Sequence, residues 1–195
     1  MSVSPFQSSA MPRPLPRTCS VLALTLLTLL GACSDASDKS EPTSSGPSCT
    51  GEQCTGDETP PPELELINRA RSQARFCGER QFPAAPALRW NENLETAARR
   101  HSEDMAAHNF FSHTGSDGSS FAERVSATGY RWRRVAENVA AGQRDAETAI
   151  EGWIASPGHC ENLMNASYEE VGMSGIEVRN TDYRYYWTQV FATRR

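Results

Sequence analysis

Two histidines in polar segments are the residues of this sequence best suited to binding chemistry. His113 lies in the run FSHTG (111–115), just past the predicted end of a long helix. A histidine in an exposed loop is free to ligate or to titrate near neutral pH. His159 ends the run SPGH (156–159). Ser156 as an N-cap, with Pro157 at the first helical position, predicts a short helix that reaches Met164.

This cap places His159 in the first turn of that helix. We expect the Ser156 hydroxyl to accept a backbone N–H near His159, and the helix dipole to lower the pKa of the imidazole. Two neutral imidazoles can hold Zn²⁺ or another divalent cation, and a nearby carboxylate could orient its bound water. Two protein ligands are fewer than the three usual in catalytic zinc sites, so binding should be weak. The alternative is a purely structural hydrogen-bond network.

Composition excludes several classes of protein. The chain has 195 residues, of which 38% are hydrophobic and 22% charged, with a formal net charge of −5. Only one long apolar run exists, so a polytopic membrane protein is excluded. Four Trp, five Tyr and seven Phe can anchor a core, which argues against a wholly disordered chain. The negative charge gives no indication of nucleic-acid binding.

Residues 1–32 have the features of an export signal. Arg13 and Arg17 precede the apolar run VLALTLLTLL (21–30), which is too short to span a bilayer freely. The following LGAC (30–33) resembles a bacterial lipobox, which predicts lipidation of Cys33 and membrane attachment. The alternative is a simple secretory signal with an incidental Cys. Ser34 is compatible with the outer membrane, so the predicted location is the outer membrane or cell surface.

Residues 33–62 are predicted to be a disordered acidic linker, and residues 63–195 the globular domain. From residue 34 to 62 the linker is rich in Ser, Thr, Pro and Gly, with six acidic residues against Lys39, so it cannot bury a core. The domain has 16 Arg and 18 acidic residues. Acidity therefore belongs mainly to the linker.

Cysteine usage agrees with export to an oxidising compartment. Cys19 leaves with the signal and Cys33 would carry lipid, which leaves four Cys and three possible pairings. The short spacing of Cys49 and Cys54 favours a small linker loop, and Cys77 would then pair with Cys160. No CxxC motif is present, so a thiolate zinc site is the weaker interpretation.

Hydrophobic periodicity predicts four long helices and three strands in the domain. The helices are predicted over 63–75, 92–109, 120–128 and 145–155, and the strands over 135–141, 171–178 and 185–191, with an ordered loop over 82–88. Because the strands do not alternate with helices as βαβ units, the predicted class is α+β, a small antiparallel sheet covered by helices.

Four ordered motifs carry a resemblance to a known family. They are the run from Leu94 to His113, AENV (136–139), GWIASPGH (152–159) and YWTQVF (186–191). Together they resemble the CAP superfamily of cysteine-rich secretory proteins, antigen 5 and pathogenesis-related proteins, in its bacterial secreted branch. The resemblance runs from about Leu64 to Phe191 and implies an α-β-α sandwich.

The resemblance also implies a groove lined by two histidines and two acids. His113 and His159 match the histidines, and Glu137 matches one acid. The second acid would align near Ser156, which is not acidic. The predicted groove is therefore His113, Glu137, Ser156 and His159, and a mechanism that needs a carboxylate pair is in doubt.

Three other features receive ordinary structural interpretations. His101 and His108 follow the apolar stripe of the long helix and are predicted to be core or helix-end residues. Ser156 lacks the Gly-x-Ser-x-Gly context of a hydrolase nucleophile. The arginines around Trp132 (131–134) are predicted to form a solvated turn that leads into a strand. Contact with anionic envelope polymer or lipid headgroups is a second option, and nucleic acid the weakest.

Two functions follow as hypotheses. The first is a non-enzymatic, lipid-anchored module that binds a cell-envelope component or lipid through the histidine groove. The second is a metal-assisted hydrolase of peptide or cell-wall bonds, with His113 and His159 as ligands and Glu137 as general base.

Overall fold

The structure is a computed structural model that describes residues 59–195. The predicted signal, Cys33, the Cys49–Cys54 pair and the linker before Thr59 lie outside the described residues. The elements follow in the order α1 (Pro62–Arg71), β1 (Arg75–Cys77), β2 (Arg80–Phe82), β3 (Arg89–Trp90), α2 (Glu92–His108), α3 (Phe121–Ala127), β4 (Trp132–Ala141), α4 (Ala146–Ala155), α5 (Pro157–Met164), β5 (Glu170–Glu177) and β6 (Tyr185–Arg194). No helix of this part of the chain is long and apolar enough to cross a membrane.

The sheet is the centre of the fold, with helices packed on both faces. Its strand order is β3-β5-β6-β4, in which β4, β6 and β5 pair antiparallel and the short β3 runs parallel to β5. On one face, Ile67, Trp153 and Leu163 from α1, α4 and α5 join a single apolar cluster. On the other face, α2 and α3 bury Leu94 and Val125. The predicted α+β sandwich is confirmed.

Helix α2 lies directly against the sheet at Gly172. A Cβ atom at Gly172 would lie 2.0 Å from the backbone nitrogen of Glu95 and 2.4 Å from the carbonyl carbon of Leu94. Only hydrogen fits there, so the glycine sets the distance between α2 and β5. Asn91 caps the helix, because its side chain accepts the backbone N–H groups of Asn93 and Leu94.

The first predicted helix is too long, and a small hairpin follows it. Helix α1 ends at Arg71 rather than at residue 75, and Ala74 is exposed. The Arg75 guanidinium donates to the carbonyl oxygen of Ala70 and so satisfies the end of α1. Residues 75–82 then form the antiparallel β1–β2 hairpin, with Gly78 in its left-handed turn.

The hairpin brings Cys77 to α5. Cys77 and Cys160 form a disulfide whose Cα atoms lie 5.4 Å apart and which closes a loop of 83 residues. The predicted pairing of these two cysteines is confirmed, and Cys77 lies at the end of β1. All three core clusters and this disulfide lie within residues 59–195, so this part of the chain contains its own core.

The two long strands begin earlier or end later than predicted. Strand β4 begins at Trp132 and β6 continues to Arg194, where their first and last residues are paired. The predicted arginine turn is therefore wrong for residues 132–134, which belong to the strand. The apolar pattern misses them because their side chains are solvated although their backbones pair.

Candidate functional site

Glu137 is the centre of the candidate site. It lies midway along β4, an edge strand of the sheet, opposite Val190 of β6. Side chains alternate along a strand, so Glu137 shares the face of Val139, which packs against α2. Its side chain is only 1% exposed. A buried carboxylate requires partners, and the loop after α2 and helix α3 supply them.

Both carboxylate oxygens of Glu137 are engaged. His113 Nδ1 lies 2.9 Å from Oε1, and Arg124 Nη2 lies 2.8 Å from Oε2. The Arg124 guanidinium also donates to the carbonyl oxygens of His113 and Ser119. The carboxylate therefore fixes the side chain of His113, and Arg124 fixes both the carboxylate and the loop that carries His113.

His113 is presented to solvent in a defined orientation. Its side chain is 50% exposed, whereas Arg124 is 11% exposed. Because Nδ1 donates to Glu137, the neutral imidazole offers Nε2 as its free lone pair. The arrangement matches the pattern in which a carboxylate orients a ligand histidine from behind.

His159 lies on the opposite face of β4 and is held through its backbone. Asn138 Nδ2 donates to the His159 carbonyl oxygen (3.1 Å) and to Gln189 Oε1 (3.1 Å). Asn162 Nδ2 donates to Asn138 Oδ1 (3.0 Å) and to the Glu137 carbonyl oxygen (3.3 Å). This amide network joins β4, α5 and β6 and ties the turn of His159 to the backbone of Glu137.

Burial lowers the pKa of His159 below its usual value, and the positive charge of His113 lowers it further. The predicted direction therefore agrees with the structure, but burial is the main cause. A lowered pKa keeps the imidazole neutral at physiological pH, the form that binds cations. The predicted cap at Ser156 is half right. Ser156 is the N-cap with Pro157 first in α5, but its hydroxyl makes no cap hydrogen bond. Its carbonyl oxygen accepts the N–H of Cys160 instead (2.8 Å).

The disulfide lies beside His159 in sequence. Because Cys160 is bonded to Cys77, the first turn of α5 is fixed to the β1–β2 hairpin. Within residues 59–195 no group of three or more His, Cys, Asp and Glu side chains is arranged to hold a metal ion. The structure thus pairs His113 with Glu137 directly, and connects His159 to them through backbone and amide contacts. It gives Ser156 no cap bond to the turn of His159.

The remaining histidines occupy the positions expected for core and helix-end residues. His101 is fully buried, and its Nε2 donates to the Ser112 carbonyl oxygen at 2.8 Å. Its Nδ1 is buried and has no hydrogen-bond partner among the described residues. His108 is the last residue of α2, exposed and beside Asp104. His101 thus supports the loop that carries His113.

The residues of this site lie within a segment that matches a known protein family. Residues 64–191 match the cysteine-rich secretory protein family, CAP. The chain belongs to the CAP family. The match includes every residue of the His113, Glu137 and His159 arrangement.

Two curated relatives of this CAP protein come from Bacillus subtilis (strain 168). The uncharacterized protein YkwD is 30% identical over 113 residues, which are 58% of this chain and 42% of YkwD. The uncharacterized membrane protein YlbC is 34% identical over 107 residues, 55% of this chain and 29% of YlbC. The chain thus spans less than half the length of either relative.

Two solved structures share the CAP fold. One is an extracellular protein containing an SCP domain from Bacillus anthracis str. Ames, with a TM-score of 0.50 and 29% identity, over 56% of this chain and 35% of that protein. The other is an outer surface protein from Borrelia burgdorferi, with a TM-score of 0.50 and 22% identity, over 57% of this chain and 80% of that protein.

Arg124 and the amide network are the site residues that sequence reasoning missed. Arg124 lies 13 positions before Glu137 on a separate helix, and no local pattern marks an arginine whose partner lies on another element. Asn138 stands next to Glu137 in the AENV motif, and that adjacency was an available signal. Gln189 lies in the YWTQVF motif (186–191) and had the same kind of signal, whereas Asn162 has none.

We predict that Arg124→Met lowers the free energy of unfolding by about 3–5 kcal/mol, because it leaves the buried Glu137 carboxylate with one partner fewer. Chemical denaturation measures the loss. Arg99→Met is the matched control. It breaks the exposed Arg99–Glu103 pair and should cost less than about 1 kcal/mol. Equal losses in the two variants would show that Glu137 does not depend on Arg124.

We also predict a loss of stability in mild acid that His101 causes in part. Burial lowers the pKa of His101 below its ordinary 6.5, so the unfolded chain takes up a proton first as pH falls. At pH values below about 6.5 the free energy of unfolding therefore decreases, by at most ~1.4 kcal/mol per pH unit for this histidine. The decrease stops once His101 is protonated in the folded protein too. Above that pH the effect is absent.

The measurement is the free energy of unfolding between about pH 8 and pH 5 for the wild type and His101→Gln. The two profiles should run parallel at the alkaline end, and the variant should fall less steeply below about pH 6.5. Profiles that stay parallel over the whole range would contradict the buried, neutral state of His101.

Proposed function

We propose that this protein is an exported, lipid-anchored CAP-domain module that binds a cell-envelope component through the groove of His113, Glu137 and His159. The observation that carries the proposal is the double engagement of the Glu137 carboxylate by His113 and Arg124. The acid positions a histidine rather than acting on a substrate. The exposed functional groups are therefore imidazoles, which bind anions when protonated and cations when neutral.

The hydrolase alternative requires a different state of Glu137. A general base must lie within hydrogen-bond reach of the water that it deprotonates and must have a free lone pair directed toward it. In Glu137 both oxygens already accept hydrogen bonds, one from His113 and one from Arg124. Ser156 stands where the resemblance implies the second acid, so that position supplies no carboxylate in place of Glu137.

A divalent cation fits the donor set only partly. His113 Nε2 and the neutral imidazole of His159 would be its protein ligands, and Glu137 would orient His113 from behind. A zinc ion held in this way would supply a positive charge for an anionic ligand group. Two ligands from the chain leave at least two positions to water or to the bound partner, so we expect weak binding.

The anchored location rests on the N-terminal sequence. The apolar run (21–30) with LGAC (30–33) supports export and lipidation of Cys33, and the extracellular relative from Bacillus anthracis agrees with export. The measurement is incorporation of a fatty-acid label in the bacterial host. Wild-type protein should take up the label and Cys33→Ala should not. A labelled Cys33→Ala protein would contradict the predicted lipid site.

The chain has only four histidines, so proton NMR of the imidazole groups tests the groove directly. The probes are zinc sulfate and soluble peptidoglycan fragments, added to protein without an affinity tag. We expect the signals of His113 and His159 to shift with zinc in the high-micromolar range or above, and with at least one probe in any case. His101 and His108 are internal controls and should not respond.

The same samples separate binding from catalysis. The proposal expects no cleavage of the peptidoglycan fragments or of casein, with or without zinc. Zinc-dependent cleavage that disappears in a folded Glu137→Gln variant would establish the hydrolase instead. If neither probe shifts His113 or His159, the groove does not bind these classes of ligand and the proposal is rejected.

A further inference from the structure

An exposed group of arginines lies at one end of the sheet, apart from the groove. We call Arg131, Arg133, Arg134, Arg194 and Arg195 the arginine surface. All five are exposed, and Trp132 lies partly exposed among them. The proposed function makes no use of this surface.

Backbone hydrogen bonds hold the arginine surface together. Trp132 of β4 is paired with Arg194 of β6, and the backbone N–H of Arg195 donates to the Arg131 carbonyl oxygen at 2.9 Å. The register shifts between Trp132 and Arg134, which leaves Arg133 as an extra residue in β4. The guanidinium groups therefore extend from ordered strand ends rather than from a free loop.

Most of this positive charge is unpaired. Arg131, Arg133 and Arg134 form no ion pair with any residue that the structure describes. Arg194 lies near one carboxylate, that of Glu170. Glu170 is buried and accepts from the Tyr130 hydroxyl, with Arg194 at 3.8 Å. By contrast, Arg69, Arg80 and Arg99 elsewhere on the surface each pair with a glutamate.

The chain enters the domain at this same end of the sheet. Thr59, Pro60 and Pro61 line a surface cavity together with Arg89 and Trp90 of β3. Arg89 is paired with Glu170 at the start of β5, and Glu170 lies opposite Ala192 of β6. Thr59 to Pro61 and the arginine surface thus lie at the same end of the sheet, beside its two opposite edge strands, β3 and β4.

We infer that the arginine surface docks on the anionic phospholipid headgroups of a bilayer. A guanidinium group can donate two parallel hydrogen bonds to the oxygens of one phosphate, and tryptophan favours the headgroup region of a membrane. Each basic residue close to an anionic leaflet contributes about 1 kcal/mol, so five arginines give an association that salt weakens. This inference extends the proposed anchoring but needs neither the lipid on Cys33 nor the histidine groove.

The test uses the chain from residue 34 onward, which has no Cys33 and so cannot be lipid-anchored. It is sedimented with phosphatidylcholine vesicles that contain or lack phosphatidylglycerol. We expect binding only to the anionic vesicles, with loss at high salt. The variant Arg131→Gln/Arg133→Gln/Arg134→Gln should bind at least about tenfold more weakly.

The matched control is Arg69→Gln/Arg80→Gln/Arg99→Gln, which removes the same charge from paired sites and should bind as the wild type does. Equal weakening of vesicle binding in both triple variants would show that binding depends only on the net charge of the protein, and would overturn the proposal. His113→Ala should leave vesicle binding unchanged, so failure of the groove and failure of this surface are distinguishable.

Two competitors complete the experiment. Free glycerol phosphate at the concentration of the vesicle headgroups should not displace the protein, because the proposed partner is a surface and not a single anion. Binding to heparin or DNA without binding to anionic vesicles would assign the surface to a soluble polyanion. Vesicle binding that disappears when residues 34–58 are removed would assign it to the linker. Either result overturns the proposal.

Discussion

A buried carboxylate on an edge strand is the constraint on which the site depends. Glu137 is almost completely withdrawn from water and must be compensated on both oxygens. Arg124 and His113 do this from two segments that are separate in sequence. The position of α3, the path of the loop after α2 and the orientation of the exposed imidazole are therefore consequences of one charge.

Helix α5, which carries His159, is held by a second buried charge. Arg71 is fully buried and has no carboxylate partner within residues 59–195, and burial lowers its pKa to about 10, which still leaves it charged at neutral pH. Its guanidinium donates to the carbonyl oxygens of Pro86, Leu163 and Asn165. The end of α5 is thus tied to α1, while Cys160 ties its beginning to the hairpin. His159 lies between these two restraints.

Sequence reasoning found the elements whose signals are local. Helices α2 to α4 and the three long strands follow from periodicity and from caps such as Asp145, which accepts the N–H of Thr148 in the structure. Strands β1, β2 and β3 contain two or three residues each, too few for any periodicity to appear. The predicted end of α1 was wrong, because the Arg75 guanidinium satisfies the Ala70 carbonyl oxygen from beyond the helix.

The residues of the candidate site also fall into two groups, those that the sequence marks and those that only the folded structure brings together. Motif residues such as His113 and Glu137 could be named because the family resemblance marks them, and the structure brings this pair into contact. Arg124 could not, because its role arises only when α3 folds against β4. The Ser156 hydroxyl failed as a cap although residue type and position were right. Pro157 has no N–H to satisfy, and the Ser156 carbonyl oxygen accepts the N–H of Cys160, so α5 begins at this proline without a bond from the hydroxyl.

The exposed side of β4 carries one further consequence. An edge strand offers free carbonyl groups to any other extended chain, which is how sheets grow into aggregates. Here the indole N–H of Trp153 donates to the Val139 carbonyl oxygen at 3.0 Å, and the amide of Asn162 donates to that of Glu137. Side chains of α4 and α5 therefore occupy places that an intruding strand would need. The groove can remain exposed to solvent without becoming a site where a strand of another molecule adds to the sheet.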